Sequence, residues 1–335
     1  MGVPMRPSEG ATIDRGDKAQ PSAAVLVVGE SIIDQIVDGE RRVEVVGGSP
    51  LNVAVGLGRC HIPVRLHSAI AQDARGQKIV RHLQEASVAM DDSALSASRT
   101  STARVDVLDA QPGYTFALDF AGGPIRHGSE EIIHFGSIYA FTEPGTTHLQ
   151  SLLGQLSPET IITFDPNIRP ALMGPHPQTV SLFESYCALA DVVKLSDEDA
   201  RWLYPNDDER AVLDRITAFG PRLVALTRGS RGAGLAAGNH RHDEAAVSAQ
   251  LVDTVGAGDT FMAALLILLA SRNDHVLDRV VDLLPSIARF ATSMAAITVR
   301  RRGADLPLFE EIVELCEKWV QDTTPAATMS PHRLT

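Results

Sequence analysis

The stretch Asp253-Thr254-Val255-Gly256-Ala257-Gly258-Asp259 decides how the rest of the chain is read. Two acidic residues bracket a turn with two glycines, and an apolar run follows at once through Phe261, Met262, Leu265, Leu266, Ile267 and Leu269. That order predicts a loop feeding the N-terminus of a buried helix. The first turn of a helix has backbone N–H groups without intrahelical partners, and the dipole adds partial positive charge there. Gly256 and Gly258 carry no Cβ, so a bulky anion can lie against the backbone. The N–H groups of Gly256, Ala257 and Gly258 form a candidate anion hole, and Asp259 is a lone carboxylate beside it. Phosphoryl transfer to a hydroxyl needs this pairing: N–H groups stabilise the transferred charge and the carboxylate takes the hydroxyl proton. A Gly-rich turn with an Asp at a helix start is also an ordinary structural device. No Gly-Lys-Ser/Thr follows, so the motif is not a Walker A loop, nor does it match the G-x-G-x-x-G dinucleotide fingerprint.

Composition bounds the partners. The 335 residues are 44% hydrophobic and 21% charged, which is ordinary for a globular chain with ample core. A formal charge of -12 argues against a nucleic-acid or anionic-membrane partner. It leaves room for a nucleotide, since a few local donors can dominate a site. Cys60, Cys187 and Cys316 are far apart and form no C-x-x-C pair, so reduced thiols in a cytoplasmic protein are the simple expectation. No uninterrupted apolar stretch reaches ~18 residues, so no spanning helix is expected. Residues 1–22 mix Pro, Gly, Asp and Lys without an apolar h-region and are expected to be a disordered tail. Residues 23–322 are expected to form one domain, with a second tail at 323–335.

Strand and helix patterns alternate along that domain, which predicts βαβ units and a mainly parallel sheet. Val25 to Val28 reads as a strand buried on both faces, continued by Ile32-Ile33-Asp34. Asp34 sits near a strand's carboxyl end, where ligands of open α/β sheets bind. In Gly47-Gly48-Ser49-Pro50-Leu51-Asn52, Ser49 suits an N-cap and Pro50 the first helical position. Asp73 suits the cap of a helix near Gln77–Ala86. From Thr100 to Phe120 apolar residues alternate around Gln111-Pro112-Gly113, which predicts a hairpin with Tyr114 and Phe116 on it. Buried strands are predicted at 131–138, 161–165 and 190–195. Arg169 follows the second of these patterns and can pair with an anionic oxygen, whereas Asp165 and Asn167 can equally organise their loop. Ser196 and Asp197 suit a helix start rich in acid. A strand from Leu223 leads to a Gly-rich turn at Thr227-Arg228-Gly229-Ser230-Arg231-Gly232, and a short strand is expected at 245–252.

Gly47-Gly48-x-x-x-Asn52 and Asp253–Asp259 resemble, in order, the N- and C-terminal signatures of the ribokinase-like (PfkB) carbohydrate kinases. Gly29-Glu30, His134-Phe135-Gly136-Ser137, Asp165-Pro166-Asn167-Ile168-Arg169-Pro170 and the run from Ala190 to Asp199 resemble bacterial fructokinases within that family. The resemblance covers Val25 to Trp319. It implies a three-layer α/β fold, helices on both faces of a mainly parallel sheet, with a small β lid from strands near 37–46 and 100–120. It implies an ATP-dependent sugar kinase with fructose as leading substrate. Ribose, 2-keto-3-deoxygluconate or nucleoside kinases share the scaffold, and a non-catalytic sugar- or nucleotide-binding regulator is the reading of another class. Asp34, Gly48 and Asn52 would hold sugar hydroxyls, with Phe116 closing from the lid and Arg169 near the sugar or phosphate. Lys194, Ser196, Thr227, Gly229, Gly232 and Thr292 would line the nucleotide. Asp199 would organise Mg²⁺ and Asp253 a K⁺ loop, while Asp259 takes the proton. Ser196, Asp199 and Thr292 stand where the family usually has Asn, Glu and Asn. Arg104 in the lid is a charge that would suit an acidic sugar, and lid strands would suit a homodimer.

Overall fold

Val25–Val28 (β1) is buried on both faces, and its alternate residues enter different cores: Val25 and Val27 one, Leu26 and Val28 the other. A strand covered on two sides requires helices above and below its sheet. The computed structural model, which describes residues 24–39, 41–106, 113–271 and 276–323, has that arrangement. The expected tails, apart from Thr323, and the Gln111-Pro112 turn lie outside the described residues.

In chain order the other strands are β2 (Ile32–Asp38), β3 (Arg41–Gly47), β4 (Val64–His67), β5 (Ala89–Met90), β6 (Thr102–Asp106), β7 (Gly113–Ala117), β8 (Ile132–Gly136), β9 (Ile161–Asp165), β10 (Val192–Ser196), β11 (Leu223–Thr227), β12 (Ala233–Ala237) and β13 (His240–Glu244). The helices are α1 (Ser49–Arg59), α2 (Ala74–Glu85), α3 (Ser137–Ala140), α4 (Gly145–Leu153), α5 (His176–Cys187), α6 (Asp197–Leu203), α7 (Glu209–Ala218), α8 (Ala257–Ala270), α9 (Val280–Thr298) and α10 (Phe309–Thr323). Nine strands form the main sheet in the order β13-β12-β11-β10-β9-β8-β1-β4-β5, parallel from β11 to β5 and antiparallel at β12 and β13. Helices α1, α2, α8, α9 and α10 cover one face, and α3 to α7 cover the other. This is the expected three-layer fold. A separate four-stranded sheet, β3-β2-β6-β7, is the lid.

Helix α8 is apolar all round, and every residue from Thr260 to Leu268 is buried. Such a helix is stable only between packed layers, and α1 and α9 supply them. Helix α9 is long and apolar enough in composition to cross a membrane, yet Leu283, Leu284, Ile287, Phe290 and Met294 on it are core residues packed with α8 and α10.

Three local expectations are corrected. Ile32-Ile33-Asp34 does not continue β1. The chain turns at Gly29–Ser31 and starts the lid, so the lid begins at Ile32. Residues 245–252 form no strand. The edge strand is the polar segment His240–Glu244, which reverses at Gly238 (φ 52°) and pairs antiparallel with β12; its lack of apolar alternation hid it. The N-cap of α1 is Gly48, and Ser49 is already helical, which frees the Ser49 hydroxyl for another partner.

Candidate active site

The parallel strands end along one edge, and the start of α8 meets that edge. Gly256 caps α8 in the left-handed region (φ 81°, ψ -3°), and a Cβ there would lie 2.7 Å from Ala304 Cα. Only glycine meets both demands without strain. Gly258 and Asp259 then occupy the first helical turn, where N–H groups face outward. Of the three N–H groups expected to form an anion hole, that of Ala257 is already turned back to the Thr254 carbonyl at 3.2 Å.

Asp259 is held by α1. The Ser49 hydroxyl donates to Oδ1 at 2.6 Å and Asn52 Nδ2 donates to Oδ2 at 2.7 Å. Both donors lie on the first turn of α1, which α8 approaches closely at Gly56, where a Cβ would come 3.1 Å from Ala263 Cβ. The structure therefore brings Asn52 to the carboxylate itself. Ser49, read from sequence as a cap, joins it.

Beneath Gly258 lies Lys194. A Cβ on Gly258 would be 3.0 Å from Lys194 Nζ. Lys194 is 4% exposed and donates to Asp165 Oδ2 at 2.8 Å; Asp165 is 1% exposed. Burial works against the ammonium, but the carboxylates of Asp165, Asp199 and Asp259 outweigh it and raise the Lys194 pKa. Burial pushes Asp165 up to about 6 against the pull of Lys194. His134 on the adjacent strand is kept neutral by burial, its pKa lowered to about 3, and its Nδ1 lies 2.9 Å from Thr163 Oγ1.

The lid supplies a second group. Asp34 on β2 pairs with Ala103 on β6, and Ala103 with Phe116 on β7, so these three share one face of the lid. Asp34 packs across Gly47, where a Cβ would meet its Oδ2 at 2.3 Å. Gly48 has φ 111°, and a Cβ there would lie 2.6 Å from the Glu30 carbonyl. Burial raises the Asp34 pKa while the Arg169 charge lowers it. Arg169 also acts on Glu30, a buried carboxylate that accepts from the Tyr139 N–H at 3.1 Å and whose pKa burial raises. Asp34, Gly48, Glu30 and Arg169 thus share one electrostatic neighbourhood, although the Arg169 guanidinium itself donates to Asn167 and Ile168. Glu30 was flagged in sequence only as part of a resemblance. A carboxylate closing an apolar strand was the available signal.

Arg104 is placed elsewhere. It is paired in register with Gln35 and Thr115, one residue out of step with Asp34 and Phe116, so it occupies the opposite lid face. On that face Gln35 donates to Glu44, which pairs with Arg75 and Lys78. Its use as a sign of an acidic sugar is corrected accordingly.

The remaining residues divide by what their polar atoms already do. Asp199 forms a capping box with Ser196: Oδ2 accepts from the Ser196 N–H and hydroxyl, and Oδ1 from the Ile168 N–H at 2.7 Å. Its oxygens fasten α6 to the loop after β9, so direct metal ligation by Asp199 does not fit. Among the described residues no group of three or more His, Cys, Asp or Glu is placed to hold a metal. Ser196 and Thr227 are register partners at the ends of β10 and β11. Gly229 and Gly232 follow with φ 54° and 88°, and a Cβ on Gly232 would strike the Glu244 carbonyl at 2.0 Å. Thr292 is buried and its hydroxyl donates to Ala288 O in its own helix, so its side chain serves α9. Asp253 accepts from the Gly303 N–H at 2.8 Å and the Val255 N–H at 3.1 Å. The Gly303 bond is the main reason its pKa is lowered. Its carboxylate ties two loops together.

The sequence profile described as pfkB family carbohydrate kinase matches residues 22–311. A fructokinase from Klebsiella pneumoniae is 30% identical over 84% of this chain and 94% of its own. A solved fructokinase from Xylella fastidiosa with bound ATP superposes with a TM-score of 0.76 at 23% identity, covering 88% of this chain and 98% of that one. A Vibrio cholerae fructokinase in fructose-, ADP- and calcium-bound form gives 0.73 at 24% identity, covering 90% and 99%.

Proposed function

The chain belongs to the pfkB family of carbohydrate kinases, ATP-dependent phosphotransferases that act on an alcohol group, and we propose that the sugar it phosphorylates is fructose. The observation that carries the mechanism is one carboxylate, Asp259, held at the start of α8 by Ser49 and Asn52, with the Lys194 ammonium under the same turn. The sugar lies between the lid and the strand ends, its hydroxyls bonded to Asp34 and to the side-chain carbonyl of Asn52, with Phe116 above. Its primary hydroxyl oxygen attacks the γ-phosphorus of ATP. The bond from that phosphorus to the β,γ-bridging oxygen breaks, ADP leaves with the electron pair, and the hydroxyl proton passes to Asp259. The outward N–H groups of α8 and Lys194 offset charge on the transferred group.

Among the described residues no cluster of protein ligands is placed for Mg²⁺, so the ion would arrive on the nucleotide, where it would neutralise phosphate charge. The loop joined by Asp253 and Gly303 is the proposed place for a potassium ion; a Vibrio cholerae fructokinase double mutant is described as potassium-bound. The lid leaves Ile36, Val43 and Val45 exposed on the Asp34 side, and pairing of two copies through the lids is the proposed assembly.

The test is an ADP-release assay with Mg²⁺-ATP and K⁺ over fructose, ribose, 2-keto-3-deoxygluconate, glucose, tagatose and adenosine. A kcat/KM for fructose of at least ~10⁴ M⁻¹s⁻¹, well above the others, is expected. A clear preference for any other acceptor overturns fructose while leaving the kinase in place.

A further inference from the structure

We propose that Asp165 is a positioning residue for phosphoryl transfer, holding the Lys194 ammonium beneath Gly258 where it meets the transferred phosphoryl group. The inference rests on the phosphotransferase reading of the α8 turn.

Sequence left Asp165 equally suited to organising its loop. The two aspartates of this region separate those roles. Asp199 accepts from the Ile168 and Ser196 N–H groups, as a loop organiser should. Asp165 accepts from no loop amide among the described residues: Oδ2 accepts a hydrogen bond from the Lys194 ammonium, and Oδ1 is buried without a hydrogen-bond partner among them. Leaving a buried carboxylate oxygen unpaired is costly. A buried ion pair is a weak source of stability, since a well-packed apolar pair often does as well. The arrangement therefore makes sense through what it does to the lysine.

Lysine carries a point charge on a flexible stem, and this one faces a choice. Asp165 on β9, Asp199 on α6 and Asp259 on α8 all act on it electrostatically, and the buried His134 on β8 senses its charge. Among the described residues Asp165 is its one hydrogen-bond partner. Were the ammonium to turn to Asp259, it would neutralise the proton acceptor. Held by Asp165, it has two N–H donors left for an anion at Gly258. The same placement explains glycine at 258, which is not required there by a left-handed backbone: a methyl group would press on the ammonium at 3.0 Å.

The experiment compares Asp165→Asn, Lys194→Met and the double variant with the parent. Calorimetry measures affinity for ADP and for a non-hydrolysable ATP analogue, and steady-state assays give kcat and sugar KM. Expected for Asp165→Asn is a loss in kcat of at least ~30-fold, somewhat below the ~10²–10³ of deleting an oxyanion donor outright, because the lysine remains. Sugar KM and ADP affinity stay within about threefold, and affinity for the ATP analogue falls about tenfold or more. In the Lys194→Met background the Asp165→Asn change adds less than about threefold, because its effect passes through the lysine. Should Asp165→Asn not fold, Asp165→Glu keeps the charge but moves it by one methylene, and the same kcat loss is expected. A folded Asp165 variant with kcat within about threefold of the parent, or a loss that simply adds to that of Lys194→Met, overturns the proposal. If no sugar in the panel is phosphorylated, the kinase reading fails separately. The ADP-against-analogue comparison still decides the role of Asp165: an equal loss for both nucleotides, or for neither, overturns it.

Discussion

Replacing Ser49 by alanine tests whether α1 orients the proton acceptor. The hydroxyl donates to Asp259 Oδ1 at 2.6 Å, and Asn52 holds the other oxygen at 2.7 Å. A hydrogen bond to a charged group contributes about 1.5–3 kcal/mol. Lost entirely from the transition state, that is a decrease in kcat of roughly 10- to 150-fold. Two features move the expectation toward the lower end. Asn52 still limits the carboxylate's rotation, and a carboxylate with one donor fewer is more basic, which partly offsets its poorer aim. The expected loss is therefore ~10- to 30-fold in kcat. Stability should hardly change, because Ser49 is the first helical residue of α1 and alanine is the better helix former. The assay is coupled ADP release at saturating sugar and Mg²⁺-ATP, with thermal unfolding as control. The same substitution is then made in an Asp259→Asn background, where its effect should shrink to about twofold or less, since the acceptor it orients is gone. A Ser49→Ala enzyme within about twofold of the parent, or one with the same loss in both backgrounds, refutes the orienting role.

Asp259→Asn itself should lower kcat by ~10²–10⁴, the usual contribution of a general base, with sugar binding retained in calorimetry. Gly258→Ala should separate stability from activity. Alanine in a helical turn favours folding by about 0.5–1 kcal/mol, but its methyl reaches 3.0 Å from Lys194 Nζ, so the variant should melt higher and turn over more slowly. Asp73 caps α2 through the Gly76 N–H and binds both the N–H and hydroxyl of Thr100. Its alanine variant should lose ~1–2 kcal/mol in chemical denaturation at pH 7. Burial would raise the Asp73 pKa, but the Thr100 and Gly76 hydrogen bonds prevail and lower it from 3.8 to about 2. With the folded value depressed, the ionised cap stabilises fully above the ordinary carboxylate range, and its contribution fades as pH falls through that window. Parent and Asp73→Ala denaturation midpoints should converge near pH 2; a constant gap across the window would refute the assignment.

What could be read from sequence was local. The apolar run after Asp259 announces a buried helix, and alternation of strand and helix patterns announces a parallel sheet between helix layers. Asp259 itself stood out because a lone carboxylate follows a glycine turn that feeds an apolar helix. Its partners did not, because Ser49 and Asn52 reach it only through the packing of α1 on α8, which depends on a close approach at Gly56 to a helix far along the chain. Ser49 also has a sufficient local explanation as a cap, and a residue with a good local role draws no attention to a distant one. Asp199 shows the converse: its family position suggested a metal, while its three hydrogen bonds are those of a capping box and a loop tie.

Arg104 marks the boundary between pattern and register. A charge in an alternating hairpin is visible in sequence, but the face it occupies depends on pairing, and a shift of one residue exchanges the faces. With Asp34, Ala103 and Phe116 in one row, Arg104 must lie with Gln35 on the other side, toward Glu44 and α2. The Asp34 side of the lid then carries one carboxylate, the Ala103 methyl group and the Phe116 ring beside the exposed Ile36, Val43 and Val45, with Arg169 as the basic group acting on both Asp34 and Glu30. Two carboxylates against one guanidinium favour a neutral polyol that can donate several hydroxyls. An anionic sugar would add a third negative charge beside Asp34 and Glu30. Sugar acids should accordingly compete poorly with fructose in the acceptor panel, and a kcat/KM for 2-keto-3-deoxygluconate equal to or above that for fructose would refute this electrostatic argument.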